Sequence, residues 1–95
     1  MIHGMHPHEF EHLVHSVKHS NFKADKVNLI KVAARSNRFT SDQVKVLMDS
    51  LAFDNDRVEV ACTLYPHVVD RQNWFKIFDS LKFSSSRHRI EACSR

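Results

Sequence analysis

The chain has 95 residues, enough for one domain with its own core and too few to divide into two. Hydrophobic residues make up 42% and charged residues 26%, which is typical of a soluble globular domain. No apolar run approaches the roughly 20 residues that span a bilayer, and no signal peptide opens the sequence, which leaves the compartment of any parent protein unknown. A net charge of +3 is small for a nucleic-acid-binding protein. We therefore expect neither nucleic acid nor a membrane as the partner.

The first predicted helix covers residues 7–19 and follows a flexible, histidine-rich segment at 1–6. Pro7 suits the first turn of a helix, because its fixed backbone angle and missing amide cost nothing there. The histidines of this helix recur at intervals of four, three and four residues, so they share one face. Imidazoles one turn apart can bind Zn²⁺, Ni²⁺ or Cu²⁺. The candidate ligands are His8, His12, His15 and His19. An ordinary polar face of an amphipathic helix is the alternative.

A two-helix pattern then repeats along the chain, and it predicts the architecture. Phe22, Phe53 and Phe83 begin similar stretches, spaced by 31 and then 30 residues. Asp-Ser-Leu recurs in the second half of each unit, at 49–51 and 79–81. Spacings of this size are typical of solenoids built from helical hairpins. We interpret the three phenylalanines as apolar wedges buried between units.

The repeated stretches carry helical signals. Apolar residues such as Val27, Ile30 and Ala34 recur at three and four residues, and no stretch alternates with period two. Thr40 with Gln43 forms a capping box that opens a helix. The predicted helices lie at 23–36, 40–51, 54–66, 70–81 and 84–94. Because the connections are short, consecutive helices must pack side by side. We therefore predict an all-α fold of about six helices, stacked as antiparallel hairpins in a single domain at 7–95.

The two cysteines, Cys62 and Cys93, lie near corresponding positions of alternate helices. Two buried thiols are the favoured interpretation, because free cysteine is among the most buried residue types. A disulfide stays open, since sequence spacing cannot test the geometry that it requires.

Basic residues cluster in two places. Lys31, Arg35 and Arg38 are four and three residues apart and form a stripe on the second helix, while Arg87 and Arg89 make the C-terminal region positive. Such a surface could contact an anion or an acidic partner. A solvated helix face is the alternative, and no aromatic residue is interleaved with these bases as a stacking platform.

Five short motifs occur in a fixed order along the chain. They are Phe-x-x-x-Lys at 22–26, Phe-Thr-x-x-Gln-Val at 39–44, Phe-x-x-x-Arg at 53–57, Asp-x-x-Asn at 70–73 and Phe-x-x-x-Arg at 83–87. This order resembles the domain of unknown function numbered 4476, over about residues 10–93, with the histidine-rich opening outside the shared pattern. That family occurs in bacterial, often exported, proteins and in vertebrate proteins that include proline- and methionine-rich ones. The resemblance implies a compact helical domain, commonly part of a longer chain, and it brings no catalytic or ligand residues.

No set of residues in the sequence has the pattern of a catalytic site, so we expect neither enzyme activity nor a cofactor. Stacked helical hairpins expose an extended surface that suits partner proteins. We therefore expect a monomeric, non-enzymatic protein-interaction or scaffold module, whose protein or peptide partner the sequence does not identify. The alternative is a metal- or anion-binding module that uses the histidine face or the Lys31, Arg35 and Arg38 stripe.

Overall fold

A computed structural model describes residues 3–95. Within that range every regular element is helical, apart from one isolated parallel bridge between Phe39 and Val68. The α-helices are α1 (Pro7–Lys18), α2 (Lys23–Ala34), α3 (Ser41–Asp49), α4 (Asp54–Leu64) and α5 (Ser84–Cys93). A 3-10 turn covers Tyr65–His67, and a longer 3-10 helix covers Arg71–Ser80. The all-α prediction is confirmed, although the segment predicted at 70–81 is a 3-10 helix.

The helices pack in two layers. One layer holds α2, α4 and α5, with α4 between the other two, and the second layer holds α1, α3 and the 3-10 helix, with α3 between the other two. Contacts of α1 with α2 and of α3 with α4 join the layers. The molecule measures 36 × 32 × 19 Å, and its thin dimension equals about two helix diameters. Among the described helices, none is both long and apolar enough to cross a membrane.

The core lies between the two layers, and every helix contributes to it. Each helix buries at least one apolar side chain completely, and the 3-4 spacing of these residues places them on the inner face. The fully buried side chains include Val17, Ile30, Leu47, Leu64, Ile77 and Ile90. Phe39, in the loop before α3, is also fully buried. The backbone bridge to Val68 holds this loop in place.

The prediction that Phe22, Phe53 and Phe83 are buried wedges is wrong. Their exposed fractions are 69%, 56% and 64%. Each is the N-cap residue of its helix, with an extended backbone that precedes the first turn. A residue at this position lies outside the helical spacing, so the packed face of the helix does not include it. Phe75, in the longer 3-10 helix, is 65% exposed as well.

The favoured interpretation of the cysteines as two buried thiols is also wrong. Cys62 of α4 and Cys93 of α5 form a disulfide, with their Cα atoms 5.7 Å apart. The cysteines are 31 residues apart in the sequence and lie on two helices that pack against each other. Cys93 is exposed and Cys62 is half-buried. The disulfide therefore joins α4 to α5 near the surface.

Candidate interaction surface

The starts of α2, α4 and α5 adjoin, which aligns Phe22, Phe53 and Phe83 along one edge of the molecule. Lys23 follows Phe22, and its ammonium lies 4.6 Å from the centre of the Phe53 ring. Phe83 donates its backbone amide to the carboxylate of Asp54, the residue that follows Phe53, at 3.0 Å. Phe22 and Phe53 are thus each one residue from a direct contact with the next helix start. We call these three residues the phenylalanine row.

Asp54 holds the second and third members of the row together. Its carboxylate accepts hydrogen bonds from the Ser86 hydroxyl at 2.8 Å and from the backbone amides of Lys82 and Phe83. Burial by itself raises the pKa of the Asp54 carboxyl, but these hydrogen bonds and the nearby charge of Arg57 outweigh it and lower the pKa. Asp54 is therefore a buried anion that fixes the start of α5 against the start of α4.

The base that ends each of the first two Phe-x-x-x-Lys or Phe-x-x-x-Arg motifs binds the end of a preceding helix. Lys26 donates to the carbonyl oxygens of Val17 and Lys18 at the end of α1. Arg57 donates to the carbonyl oxygen of Leu51, just beyond α3, and to that of Ser80 at the end of the 3-10 helix. Carbonyl oxygens at helix ends lack intrahelical partners, and a cation satisfies them well. The motif is therefore a structural device that positions the phenylalanine row.

The third copy of the motif departs from this pattern. Arg87 pairs with Glu91 on its own helix and stacks its guanidinium 4.8 Å from the centre of the Phe78 ring. This contact ties α5 to the 3-10 helix through an aromatic ring, without a carbonyl cap. The Phe83 backbone is held instead by Asp54, so the third phenylalanine keeps its place in the row.

The edge that carries the row has a positive character. Lys23 lies against Phe53, the middle member of the row, and Lys82 directly precedes Phe83; both lysines are exposed. Asp25 and Asp56 lie in the first turns of α2 and α4 and offset the positive ends of those helices. The first turn of α5 has no acidic residue. The Asp54 carboxylate takes that place by accepting the Lys82 and Phe83 amides, so the exposed positive charges at this edge are those of Lys23 and Lys82.

Asp70 performs a related task at the opposite edge. Its carboxylate accepts the backbone amide of Ser41 at 2.7 Å, together with the Ser41 hydroxyl and the Asn73 side chain. Burial raises the pKa of Asp70, but these hydrogen bonds outweigh it and lower the pKa. Asp70 thus stabilises the start of α3 from the neighbouring 3-10 helix, and the Thr40–Gln43 capping box completes that start.

The predicted basic residues do not form one surface. Lys31 forms an ion pair with Glu59 of α4, and Arg87 pairs with Glu91. Arg89 donates to the Asn55 side chain. Arg35 and Arg38 are exposed and together line a pocket at the end of α2. Three of the five predicted bases therefore bind a neighbouring side chain, namely Lys31, Arg87 and Arg89. The other two, Arg35 and Arg38, share one pocket.

The histidine face lies on α1 as predicted, but the geometry does not gather its side chains around a metal. His8, His12 and His15 line a shallow pocket with Glu11. The His15 and His19 rings stack with their centres 4.0 Å apart, and His19 Nδ1 hydrogen-bonds to the His15 carbonyl oxygen. Across residues 3–95, no three His, Cys, Asp or Glu side chains are close enough to hold a metal ion. Metal binding here stays a prediction.

The N-terminal segment, which was expected to be flexible, contacts α3 where it is described. Met5 donates its amide to the Gln43 side chain at 3.0 Å and accepts from the same side chain at 2.8 Å. A Cβ atom on Gly4 would lie 2.4 Å from Gln43 Oε1 and 2.7 Å from the Thr40 nitrogen, so only glycine fits this approach. Residues 1 and 2 of the expected segment lie outside the described residues.

The exposed phenylalanine row is the feature that the sequence interpretation missed. A usable signal was present, because Phe22, Phe53 and Phe83 stand where a helix start usually carries Ser, Thr, Asp or Asn. An N-cap position is outside the buried face, so a large apolar residue there is more exposed than its hydrophobicity implies. His67 also lines the pocket at the end of α2, and nothing in the sequence indicates that it lies near Arg35 and Arg38.

These features define a small all-α domain with aromatic residues displayed at three adjoining helix starts. The chain belongs to the family described as a domain of unknown function (DUF4476), whose model matches residues 4–94. The resemblance carried by the five motifs is confirmed, and the match also includes α1 with its histidines. No curated protein and no solved structure matches the chain.

Proposed function

We propose that this domain is a non-enzymatic protein-interaction module whose docking surface is the phenylalanine row. The observation that carries the proposal is the alignment of three rings, each more than half exposed, at adjoining helix starts. The partner that fits is a peptide segment with apolar anchor residues and acidic residues beside them. We also infer that the 31- and 30-residue echoes are structural repeats, each contributing one phenylalanine.

The apolar surface supports a docking role. A phenylalanine side chain buries about 150–250 Å² when it is covered, and each Å² removed from water contributes about 25 cal/mol. Single exposed apolar residues are ordinary, but contiguous exposed apolar patches mark interaction sites. The backbone under the row is held by buried Asp54 and by the caps of Lys26 and Arg57. A partner would therefore meet a preorganised surface, which lowers the entropic cost of binding.

The charges around the row favour an acidic partner. Lys23 lies against Phe53, Lys82 directly precedes Phe83, and both lysines are exposed. Packed helices lie about 8–10 Å apart, so three helix starts span about 20 Å. About six or more residues of an extended peptide cover that length. Carboxylates on such a peptide would complement Lys23 and Lys82.

A structural use of the carboxylates is consistent with a non-enzymatic role. The pKa is lowered at Asp54 and Asp70, and both side chains accept hydrogen bonds at helix starts. Perturbed carboxylates often mark catalytic sites, but structural hydrogen-bond networks perturb pKa values as well. These two carboxylates lie at opposite edges of the domain, and each accepts hydrogen bonds from the start of a neighbouring helix.

The test uses a phage-displayed library of random peptides of about 12 residues, which exceeds the length needed to cross the row. Peptides selected on the wild-type domain are expected to be richer in apolar and acidic residues than the starting library. Their Kd is then measured calorimetrically on the wild type and on a Phe22→Ala/Phe53→Ala/Phe83→Ala variant. We expect the triple variant to raise Kd at least about tenfold, since buried aromatic anchors dominate binding energy.

The matched control is Phe75→Ala, which removes an equally exposed ring from the 3-10 helix. This variant is expected to bind the selected peptides with wild-type affinity. The three row positions are exposed, so the triple variant should keep a near-wild-type melting temperature, and a loss of binding then reports the surface. Selected peptides that bind the triple variant as well as the wild type would refute the proposal, and so would a selection that enriches no such peptides.

A further inference from the structure

A second surface feature lies at the other end of α2, about 18 Å along the helix from Phe22. A pocket of about 310 Å³ opens there between the segment after α2 and the 3-10 turn after α4. Its lining is polar and basic, and consists of Arg35, Ser36, Asn37, Arg38, Pro66 and His67. We call it the arginine pocket.

The two arginines of this pocket are available for a ligand. Neither Arg35 nor Arg38 forms an ion pair or a side-chain hydrogen bond with any residue in the range 3–95. Arg57, by contrast, binds backbone carbonyls and Arg87 binds Glu91. No acidic residue lines the pocket. Two arginines that line one pocket without a carboxylate favour an anionic ligand.

The backbone around the pocket is fixed. The Phe39 amide donates to the His67 carbonyl oxygen at 2.9 Å, and the Val69 amide donates to the Phe39 carbonyl oxygen at 2.9 Å. Asn37 donates its side-chain amide to the Ala33 carbonyl oxygen at the end of α2. The Phe39 side chain is fully buried and anchors the segment that carries Arg38. Arg38 and His67 are therefore held close together by backbone hydrogen bonds between distant parts of the chain.

The chemistry of these groups suits a tetrahedral oxyanion. A guanidinium group donates two parallel hydrogen bonds to a phosphate, and it stays charged at all ordinary pH values. The Ser36 hydroxyl and the His67 ring provide further donors at the same mouth. The volume is at the lower end of the range for ligand pockets, which is about 300–1,000 Å³, so it suits one anionic group better than a whole nucleotide.

We propose that Arg35, Arg38 and His67, with Ser36, form a binding site for a phosphate monoester group. The group is either free, as in inorganic phosphate or a small phosphorylated metabolite, or carried on a phosphorylated side chain of a partner. The site differs from the predicted basic stripe, because Lys31 is paired with Glu59 and His67 of a distant segment takes its place. It is independent of the phenylalanine row, so either proposal can fail without the other.

The test is a titration of the uniformly labelled domain followed by amide chemical shifts. One arm adds inorganic phosphate, a second adds a phosphoserine peptide, and a third adds the same peptide without phosphate. We expect saturable amide shifts that are confined to residues 35–39 and 67–68 in the phosphate arms. Tighter binding of the phosphoserine peptide than of inorganic phosphate would identify a phosphorylated partner as the source, and the reverse order a free phosphate.

Two variants with the same loss of charge make the result specific. Arg35→Gln/Arg38→Gln is expected to raise Kd for phosphate at least about tenfold, because both bidentate donors are lost. The matched control, Arg87→Gln/Arg89→Gln, removes two exposed arginines elsewhere and should leave Kd within about twofold of wild type. Equal weakening by the two variants would show general charge attraction and overturn the site. Shifts that spread over the surface, or that do not saturate, would overturn it as well.

Discussion

The Asp54 carboxylate accepts a hydrogen bond of 2.8 Å from the Ser86 hydroxyl, which is 32 residues further along the chain, and both side chains are buried between α4 and α5. The same carboxylate accepts the amides of Lys82 and Phe83. One side chain thus satisfies three donors at the start of the last helix. Losing it would leave buried donors without a partner, and unsatisfied buried polar groups are costly.

We expect Asp54→Ala to lower the free energy of unfolding by about 1–3 kcal/mol, because the Ser86 hydroxyl and two amides lose their acceptor. Urea denaturation followed by circular dichroism measures the change. Asp56→Ala is the matched control, since Asp56 lies in the same first turn and has no comparable set of donors. Its expected cost is about 0.3–1 kcal/mol, from the helix dipole alone. Equal denaturation midpoints for the two variants would contradict the role assigned to Asp54.

The lowered pKa values of Asp54 and Asp70 predict acid sensitivity. A carboxyl group whose pKa is lower in the folded state binds its proton more weakly there than in the unfolded chain. Its contribution to stability is therefore complete above the unfolded pKa of about 3.9, and is lost as the pH falls through the folded pKa. Urea curves recorded between about pH 7 and pH 2 should show this loss.

The variant Asp54→Asn/Asp70→Asn is expected to be less stable than wild type near neutral pH and to lose less stability on acidification. Asn keeps the shape and one acceptor oxygen but does not titrate. The measured quantity is the difference in free energy of unfolding between neutral and acidic buffer. If the free energy of unfolding of the double variant falls as steeply on acidification as that of the wild type, other carboxylates cause the loss of stability in acid and this prediction is wrong.

The Cys62–Cys93 disulfide should stabilise the C-terminal helix. A crosslink between residues 31 apart restricts the unfolded chain, and native disulfides of this kind contribute about 2–4 kcal/mol. We expect Cys62→Ser/Cys93→Ser to lower the urea midpoint accordingly, with the amides of α5 losing protection from hydrogen exchange first, since α5 packs mainly on α4. Disulfides persist in oxidising surroundings, so the wild type must be compared with and without a reducing agent.

The reducing agent is also the control for that experiment. It should bring the wild-type midpoint down to that of the double variant and leave the double variant unchanged. A double variant as stable as the oxidised wild type would show that packing on α4 alone holds α5. A midpoint of the double variant far below that of the reduced wild type would instead point to a cost of the serine hydroxyls.

Truncation to alanine should lower the stability strongly at one phenylalanine and hardly at all at another. Phe39 is fully buried, whereas Phe83 is 64% exposed. We expect Phe39→Ala to cost about 3–5 kcal/mol through the cavity that it leaves. Phe83→Ala should change stability by about 0.5 kcal/mol or less, as for most surface positions. Thermal and urea denaturation measure both. Comparable losses for the two variants would mean that the Phe83 ring is covered in solution.

The sequence predicted helix starts better than helix ends. Predicted starts at 7, 23, 54 and 84 coincide with those of α1, α2, α4 and α5, whereas every predicted helix overruns its observed end by one or two residues. Starts carry local signals, such as Pro7 and the Thr40–Gln43 box. Ends are usually marked by glycine, and this chain has a single glycine, at position 4. Here Lys26 and Arg57 satisfy helix ends across tertiary contacts, which periodicity does not reveal.

The candidate surface could be predicted only in part. The three phenylalanines were found through the repeat, but their exposure depends on which way the chain enters each helix, and that is settled by tertiary packing. The pairing of Lys31, one residue of the basic stripe, could not be predicted either, because Glu59 lies 28 residues away and only packing of α2 on α4 brings the two together. The arginine pocket combines Arg38 with His67, which the bridge at Phe39 and Val68 makes neighbours.

Phenylalanine as an N-cap residue has an energetic consequence for the whole molecule. Ser, Thr, Asp or Asn in that place would accept a hydrogen bond from a first-turn amide, and such a cap contributes about 1 kcal/mol. Phe22, Phe53 and Phe83 make no such bond, so the domain forgoes about 3 kcal/mol in total. That sum is a sizeable share of the 5–15 kcal/mol typical of a folded domain, roughly a fifth to three fifths. Replacing these residues with polar caps would raise the free energy of unfolding but would remove the three exposed rings from this edge. Greater stability and an apolar edge are therefore alternatives at these positions.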